Sequence, residues 1–344
     1  MVTVPQSAGP AGQPTLEQVA ALAGVSRATV SRVVNGSPRV SPERRTRVEQ
    51  AIVKLGYVPN RAARSLVTRR SDSVALIVSE AETRVFAEPF FAAMARGIAT
   101  VLATTDLQFV LLMAQDPSQR ERVVRYIVNH HADGVLLASL HGDDPLPRRL
   151  VDAGVPIVLM GRPAGRVAAS YVDADNRGGA REAVAYLAGK GRRRIATVTG
   201  TLDMAVGMDR LEGWRDALRA AGLEPDERLV EPGDFSEESG HRAMAALLSR
   251  EPALDAVFAA SDLMALGALR TLKDAGRKVP GDVAVVGFDD SIVARHAEPQ
   301  LTTVRQPVEE MGRQMTRLLL AKLAGEAVGV SVILETELVI RGSA

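Results

Sequence analysis

Cysteine is absent from the 344 residues, which excludes disulfides, thiolate metal sites and thiol catalysis together, and fits a reducing compartment. No apolar run approaches the ~20 residues needed to span a bilayer. Residues 1–13 lack the basic start and apolar core of a signal peptide. Pro, Gly, Ser and Ala dominate that stretch instead, so a disordered tail and a cytoplasmic protein are expected. Enzyme signals are missing too. His130, His131, His141, His241 and His296 show no metal-ligand spacing, and adjacent His130 and His131 cannot share one helix face. A GxxxxGK[ST] phosphate loop is absent, and residues 281–287 read as strand without a phosphate cradle. Asn176-Arg177-Gly178-Gly179 looks phosphate-like at a helix start, but reads better as a cap with close packing. No catalytic residue, metal or cofactor is therefore expected.

What is present is unevenly distributed. The formal net charge is only +1. Residues 1–70 carry 11 Lys/Arg against 3 Asp/Glu, while the remainder carries 31 against 38. A basic head of +8 on an acidic body of −7 is the electrostatic footprint of a nucleic-acid-binding module joined to a soluble partner domain. The length allows a small headpiece and two mid-sized lobes.

Residues 15–35, TLEQVAALAGVSRATVSRVVN, carry the sharpest pattern. Thr15 and Gln18 form a capping-box pair, and Leu16, Val19, Ala20 and Ala23 recur on one helical face. Gly24 can end the helix in the left-handed region. Ser26 can cap a second helix with Val30, Val33 and Val34 inward, leaving Arg27, Ala28, Thr29, Ser31 and Arg32 on the other face. Two short helices around a glycine turn make a helix-turn-helix whose second helix suits phosphates and base edges. Residues 35–38 read as a turn, and Ser41-Pro42 opens a third helix with Val48, Ile52 and Leu55 inward and Gly56 as its stop. Residues 60–66 are helical in composition but too short to be stable alone.

With TLEQVAALAGVSRATVSRVVN, RVSPERRTRVEQAIVKLGYVPN and RAARSL in this order, the chain resembles the lactose-repressor/galactose-repressor family of bacterial transcription regulators. The resemblance covers residues 15–341. It implies a hinge helix at 60–66 that folds when two subunits pair on DNA, with Leu66 wedged into the minor groove. It also implies DNA contacts from Thr15, Ser26, Arg27, Ala28, Thr29, Ser31, Arg32, Asn35, Arg39, Tyr57, Asn60, Ala63 and Leu66.

From residue 73 the pattern changes to short apolar runs alternating with amphipathic helices, which predicts parallel sheets covered by helices. Strands are expected at 74–78, 109–113, 134–138 and 156–160, with helices at 89–104 and 117–131. A second series follows, with strands at 195–198, 256–259 and 283–286 and helices at 210–221, 236–250 and 262–275. A last helix at 307–324 follows strand 301–304, and a closing strand lies near 338–340. Two similar α/β lobes follow from this count; a triple crossover between them is what the resemblance implies. The expected class is thus α/β, a three-helix headpiece with hinge helix followed by a two-lobed periplasmic-binding-protein-like sensor. The expected divisions are tail 1–13, headpiece 14–59, hinge and linker 60–72 and sensor 73–344. Lobe 1 takes about 73–172 and 304–330, lobe 2 about 173–301 and 331–344.

Ligands of open parallel sheets sit at the carboxyl ends of the strands. Arg210 is expected to begin a helix after a strand and loop, and Asp289 and Ser261 to follow strands directly. Phe90 opens the helix after the first strand. A bidentate arginine, a carboxylate and an aromatic face suit a polyol ring. The resemblance implies that Arg210 and Asp289 touch effector; Ser261 departs from the asparagine common in relatives. The expected protein is a DNA-binding transcriptional regulator, in sense a repressor, controlled by a carbohydrate effector between the lobes and acting on palindromic double-stranded DNA as a homodimer. Only four residues follow the closing strand, so no tetramerising heptad helix is expected. A solute-binding protein for sugars without a DNA role shares the two-lobed fold, but the basic helix-turn-helix disfavours it; a sugar kinase would need a phosphate loop.

Overall fold

A computed structural model of the chain describes residues 14–34, 37–58, 70–163, 165, 167–329 and 331–344. Contacts divide it into two units, Met1–Ser71 and Asp72–Ala344. The expected tail, the turn residue Asn35 and the hinge with Asn60, Ala63 and Leu66 lie outside the described residues.

In the first unit, helices α1 (Leu16–Ala23), α2 (Arg27–Val34) and α3 (Pro42–Leu55) follow the capping signals. Thr15 and Gln18 complete a reciprocal capping box, and Gly24 ends α1 at φ 62°. Ser26 Oγ accepts from the Thr29 amide at 3.2 Å. Ser41 makes no side-chain cap, so the start of α3 relies on Pro42 and its fixed φ. Val19, Val30 and Val48, one from each helix, are wholly buried and meet Ala51 and Tyr57 in one small core. Ala51 holds the central position on α3, while Ile52 and Leu55 are only part-buried.

The second unit contains two six-stranded sheets. In the first lobe run β1 (Ser73–Val78), α4 (Glu82–Ala87), α5 (Pro89–Leu102), β2 (Gln108–Met113), α6 (Pro117–Tyr126), β3 (Gly134–Ala138), α7 (Leu146–Asp152), β4 (Ile157–Met160) and β5 (Ser170–Ala174). The chain then crosses into the second lobe with α8 (Asn176–Gly189), β6 (Ile195–Thr199), α9 (Ala205–Ala220), β7 (Val230–Pro232), α10 (Glu237–Arg250) and β8 (Ala256–Ala259). There follow α11 (Asp262–Asp274), β9 (Ala284–Asp289), α12 (Ile292–His296) and β10 (Thr302–Arg305). Helix α13 (Val308–Leu323) returns to the first lobe with β11 (Ser331–Leu334), and β12 (Glu337–Val339) closes the second. The sheet orders are β11-β5-β4-β3-β1-β2 and β12-β10-β9-β8-β6-β7. Among these pairings only β10–β12 is antiparallel. Both sheets therefore place their crossovers toward the β11-β5 and β12-β10 ends.

Strand β1 shows why its run is continuously apolar. Val74, Leu76 and Val78 face the core beneath α5 and α13, whereas Ala75 and Ile77 face the core beneath α6 and α7. A parallel strand covered on both faces needs apolar side chains at every position. Helices α5 and α13 meet through glycine. A Cβ on Gly97 would lie 2.0 Å from the Glu309 carbonyl oxygen, and one on Gly312 2.5 Å from that of Met94.

Several expectations need correction. Residues 331–334, assigned to lobe 2, add a strand to the first sheet beside β5, and residues 304–305, assigned to lobe 1, belong to β10 of the second sheet. Membership is decided by hydrogen bonding between strands, β11 with the distant β5 and β10 with β9 and β12, which local periodicity does not carry. The helix expected at 117–131 stops at Tyr126 and continues as a π-turn, Ile127–His131, with His130 at φ 59°. The short helix α4 and the edge strand β7 lack the length that makes periodicity legible.

Candidate functional site

On the headpiece, the outer face of α2 is built by subtraction: Val30 and Val33 point into the core, so the intervening positions point out. Arg27, Ala28 and Arg32 are exposed, and Thr29 and Ser31 part-exposed. The Arg27 guanidinium pairs with Glu17 at 3.0 Å, both side chains being more than half exposed; so solvated a pair exchanges easily for another acceptor. Thr15 and Ser26 have their hydroxyls engaged at helix caps. Arg39 is exposed beyond the turn. Tyr57 differs from the rest, since its ring is 8% exposed within the headpiece core and its first role is packing.

In the second unit the carboxyl ends of the two sheets face one cavity of about 690 Å³, and Phe90, Arg210, Ser261 and Asp289 all line it. Two positions differ from expectation. Arg210 lies in the second turn of α9, which already begins at Ala205. Gly207 belongs to the first turn of that helix, where a Cβ would fall 2.1 Å from the Thr201 carbonyl oxygen, so the close approach of the two backbones requires glycine. Asp289 is the last residue of β9 rather than the first beyond it.

Arg210 organises the floor. It is 3% exposed, and its Nε donates to Asn176 Oδ1 at 3.0 Å while Nη1 donates to the Ala260 carbonyl at 2.5 Å. The guanidinium lies 3.6 Å from the Phe288 ring centroid and 3.8 Å from Asp289 Oδ1. Burial lowers its pKa to about 10, which still leaves it cationic at neutral pH. Asn176 in turn donates to Asp173 Oδ1 at 2.9 Å, and Gln306 donates to Asp289 at 2.5 Å. The line Asp173–Asn176–Arg210–Asp289–Gln306 thus spans two of the crossovers between lobes. Burial raises both Asp289 and Asp262; the Asp289 charge raises Asp262 further, whereas the Arg210 cation, the Gln306 amide and the Asp262 main-chain amide hold Asp289 down. Asp262 is wholly buried and held by Thr303 Oγ1 and the Ser291 amide, so it serves the backbone of the second lobe.

Ser261 caps α11 by accepting from the Met264 amide at 3.2 Å and donates to the Phe235 carbonyl at 3.3 Å. Its hydroxyl therefore fixes Phe235, an aromatic wall that the sequence reading missed. Phe235 has φ 69°, Ser139 φ 55° and Asp289 φ 126°. Each is a non-glycine residue in a costly backbone region, and all three line the cavity; such strain collects at binding sites. Phe90 lies edge-on to Phe91 on the opposite lobe, with centroids 5.4 Å apart. Ser291 Oγ is buried, lines the cavity and has no hydrogen-bond partner. Asp173, Asn176, Phe235 and Ser291 were missed because each gains its meaning from neighbours far along the chain. Position just after a strand end is the one local signal that could have found Asn176 and Ser291, whereas Asp173 lies inside β5. Among the described residues no cluster of three or more metal-ligating side chains occurs, and no helix is long and apolar enough to cross a membrane.

A basic helix-turn-helix unit and a two-lobed α/β unit around a polar, aromatic-walled cleft define a DNA-binding regulator with a ligand-sensing domain. The chain belongs to the lacI family of bacterial regulatory proteins. Residues 15–60 match that family's model, and residues 184–344 match a periplasmic binding protein-like domain. It is 57% identical over 334 residues to the HTH-type transcriptional regulator CelR of Thermobifida fusca, covering 96% of this chain and 98% of that one. To the HTH-type transcriptional repressor CytR of Escherichia coli it is 36% identical over 340 residues, 96% of each chain. Among solved structures it resembles a CelR–cellobiose complex (TM-score 0.78, 54% identity, 96% of this chain and 100% of that one). It also resembles a lac repressor dimer bound to operator and the anti-inducer ONPF (TM-score 0.84, 28% identity, 96% and 99%). The protein is a helix-turn-helix transcriptional regulator.

Proposed function

We propose that the chain is a cytoplasmic, homodimeric repressor, without catalytic activity, whose hold on a palindromic operator is set by cellobiose or a close disaccharide bound in the interlobe cleft. The observation that carries this reading is the convergence of Arg210, Asp289 and Phe235 from the second lobe with Phe90 from the first on one cavity. An aromatic face with a fixed arginine and carboxylates matches a neutral sugar, whose ring offers apolar C–H faces and a rim of hydroxyls. The similarity to a regulator solved with cellobiose supports the choice of sugar.

On the DNA side, Arg27 and Ala28 read base edges in the major groove. Thr29, Ser31, Arg32 and Arg39, with the cap residues Thr15 and Ser26, set register on phosphates. Asn35, Tyr57, Asn60 and Ala63 complete the backbone contacts, and Leu66 wedges the operator centre.

A ligand that prefers one lobe arrangement changes operator affinity by its differential binding, typically about 1–3 kcal/mol. The test is a melting screen of neutral disaccharides and sugar phosphates, followed by operator binding with each hit. Cellobiose at 100 times its Kd should stabilise the sensor by about 2.7 kcal/mol and shift operator affinity. Stabilisation by sugar phosphates alone would overturn the neutral-sugar assignment.

A further inference from the structure

We propose that His141 is the central piece of a latch that holds the two lobes together at the mouth of the effector cleft, on the side away from the crossovers. Its Nε2 lies 3.0 Å from Glu80 Oε1 of the first lobe. Its Nδ1 lies 3.0 Å from Asp203 Oδ2 and 3.2 Å from Oδ1 of the second. One residue on, the Gly142 amide donates to the Asp203 carbonyl at 2.9 Å, so main chain and side chain clasp the same loop.

The sheet orders give this placement its leverage. Glu80 and His141 follow β1 and β3, and Asp203 follows β6, while the crossovers leave from β5, β10 and β11. Contacts far from a hinge oppose opening with the longest arm. A second contact joins the lobes beside the first: Arg84 of α4, bonded to Glu80 at 2.8 Å and Glu88 at 2.6 Å, sits 5.5 Å from the centroid of Phe235. The chain Asp203–His141–Glu80–Arg84–Phe235 therefore leaves the second lobe, passes through the first and returns to the aromatic wall of the cleft.

Only a doubly protonated imidazole can donate to both carboxylates. The other charges around the ring do not take that role. Asp144 is engaged by Ser79 Oγ at 3.5 Å and Arg120 at 3.4 Å, and Arg84 donates to the same Glu80 oxygen, Oε1, as the imidazole, so that one carboxylate oxygen serves both cations. A further interlobe pair, Arg162 with Asp209 at 2.7 Å, keeps its charge at every physiological pH. Two groups in these links titrate near neutrality: the histidine itself, and Glu88 beside Arg84, raised to about 7 by burial, which touches neither Asp203 nor the imidazole. The Glu80 hydrogen bond raises the pKa of His141 above the ordinary 6.5, against the opposing effect of burial. The latch is therefore fully formed below about 6.5 and lost as pH rises through the raised value, so closure takes up a proton and is favoured at lower pH.

The consequence for the sensor is that closure of the cleft, and with it effector retention, depends on proton concentration as well as on sugar. That consequence rests on the proposed effector site, but the latch itself can be read without any ligand. Hydrogen exchange of the full-length protein is followed over residues 139–145, which include the Gly142 amide, at pH 6.0 and 8.5 with correction for intrinsic rates. Wild type should show roughly tenfold greater protection at pH 6.0, the scale of one charge-assisted hydrogen bond. His141→Gln and Asp203→Asn should lose that protection and its pH dependence, while β1 and β9 keep theirs. Protection in wild type that is equal at both pH values would overturn the latch, and so would a His141→Gln protein that still gains protection on acidification. Cellobiose release rates for the same three proteins then read the consequence. Unchanged protection with altered sugar release would sink the latch alone, and altered protection with no sugar binding would sink the effector assignment alone.

Discussion

Replacing Arg210 by alanine should show that a residue of the proposed effector site is part of the framework as well. The substitution removes donors to Asn176 Oδ1 at 3.0 Å and the Ala260 carbonyl at 2.5 Å, both buried. It also removes the cation from the face of Phe288 at 3.6 Å and from beside Asp289 at 3.8 Å. Each stranded acceptor costs about 1–3 kcal/mol, and loss of the cation–π contact about 0.5–2 kcal/mol. Relief of the arginine's own desolvation, several kcal/mol, works in the opposite direction. Breaking a buried pair on one side has a net cost of about 3–5 kcal/mol. At roughly 2–4 °C per kcal/mol for a domain of this size, the sensor should melt about 6–20 °C lower. Below that temperature the headpiece is untouched, so effector-free operator affinity should stay close to wild type while the response to sugar disappears. Arg210→Lys keeps the charge but not the fork, and should recover part of the stability without restoring the response. Calorimetry and operator titration with and without cellobiose measure both halves. An Arg210→Ala protein that melts within about 2 °C of wild type would refute the framework role by the same arithmetic, and one that still responds fully would remove Arg210 from the site.

Three further outcomes are expected. Arg27→Ala should cost about 1–3 kcal/mol on the preferred operator and relax one base position; unchanged preference across a randomised operator library would refute the base contact. Burial raises Glu88 from 4.5 to about 7, so the folded protein holds that proton more tightly and stability falls as pH rises through this window. Glu88→Gln should accordingly be more stable relative to wild type at pH 8 than at pH 4 by roughly 1–3 kcal/mol, and a difference independent of pH in denaturant titrations would contradict the shift. Gly97→Ala would put a methyl 2.0 Å from the Glu309 carbonyl oxygen and must push α13 from α5. A loss of about 1–3 kcal/mol or more is expected, and a melting point equal to wild type would show that the helices do not pack there.

The sequence by itself determined the headpiece almost completely, because its information is local. Caps at Thr15 and Ser26, a left-handed glycine at Gly24 and three valines at helical spacing fix three helices within forty residues. Continuous apolar runs such as 74–78 likewise announced strands buried on both faces, and the strand-end rule found Arg210, Ser261 and Asp289. Tertiary structure decided what those residues do. Ser261 and Asp262 turned out to serve a cap, the Phe235 carbonyl and the Ser291 amide. Phe235 became a wall of the cleft although nothing around position 235 marks it as one. Sheet membership of 304–305 and 331–334, and the meeting of His141 with Glu80 and Asp203 across some sixty residues, depend on how the crossovers bring distant strand ends together. Periodicity reports which way a side chain points from its own element; which partner waits there is settled when the sheets pair and the lobes close on each other.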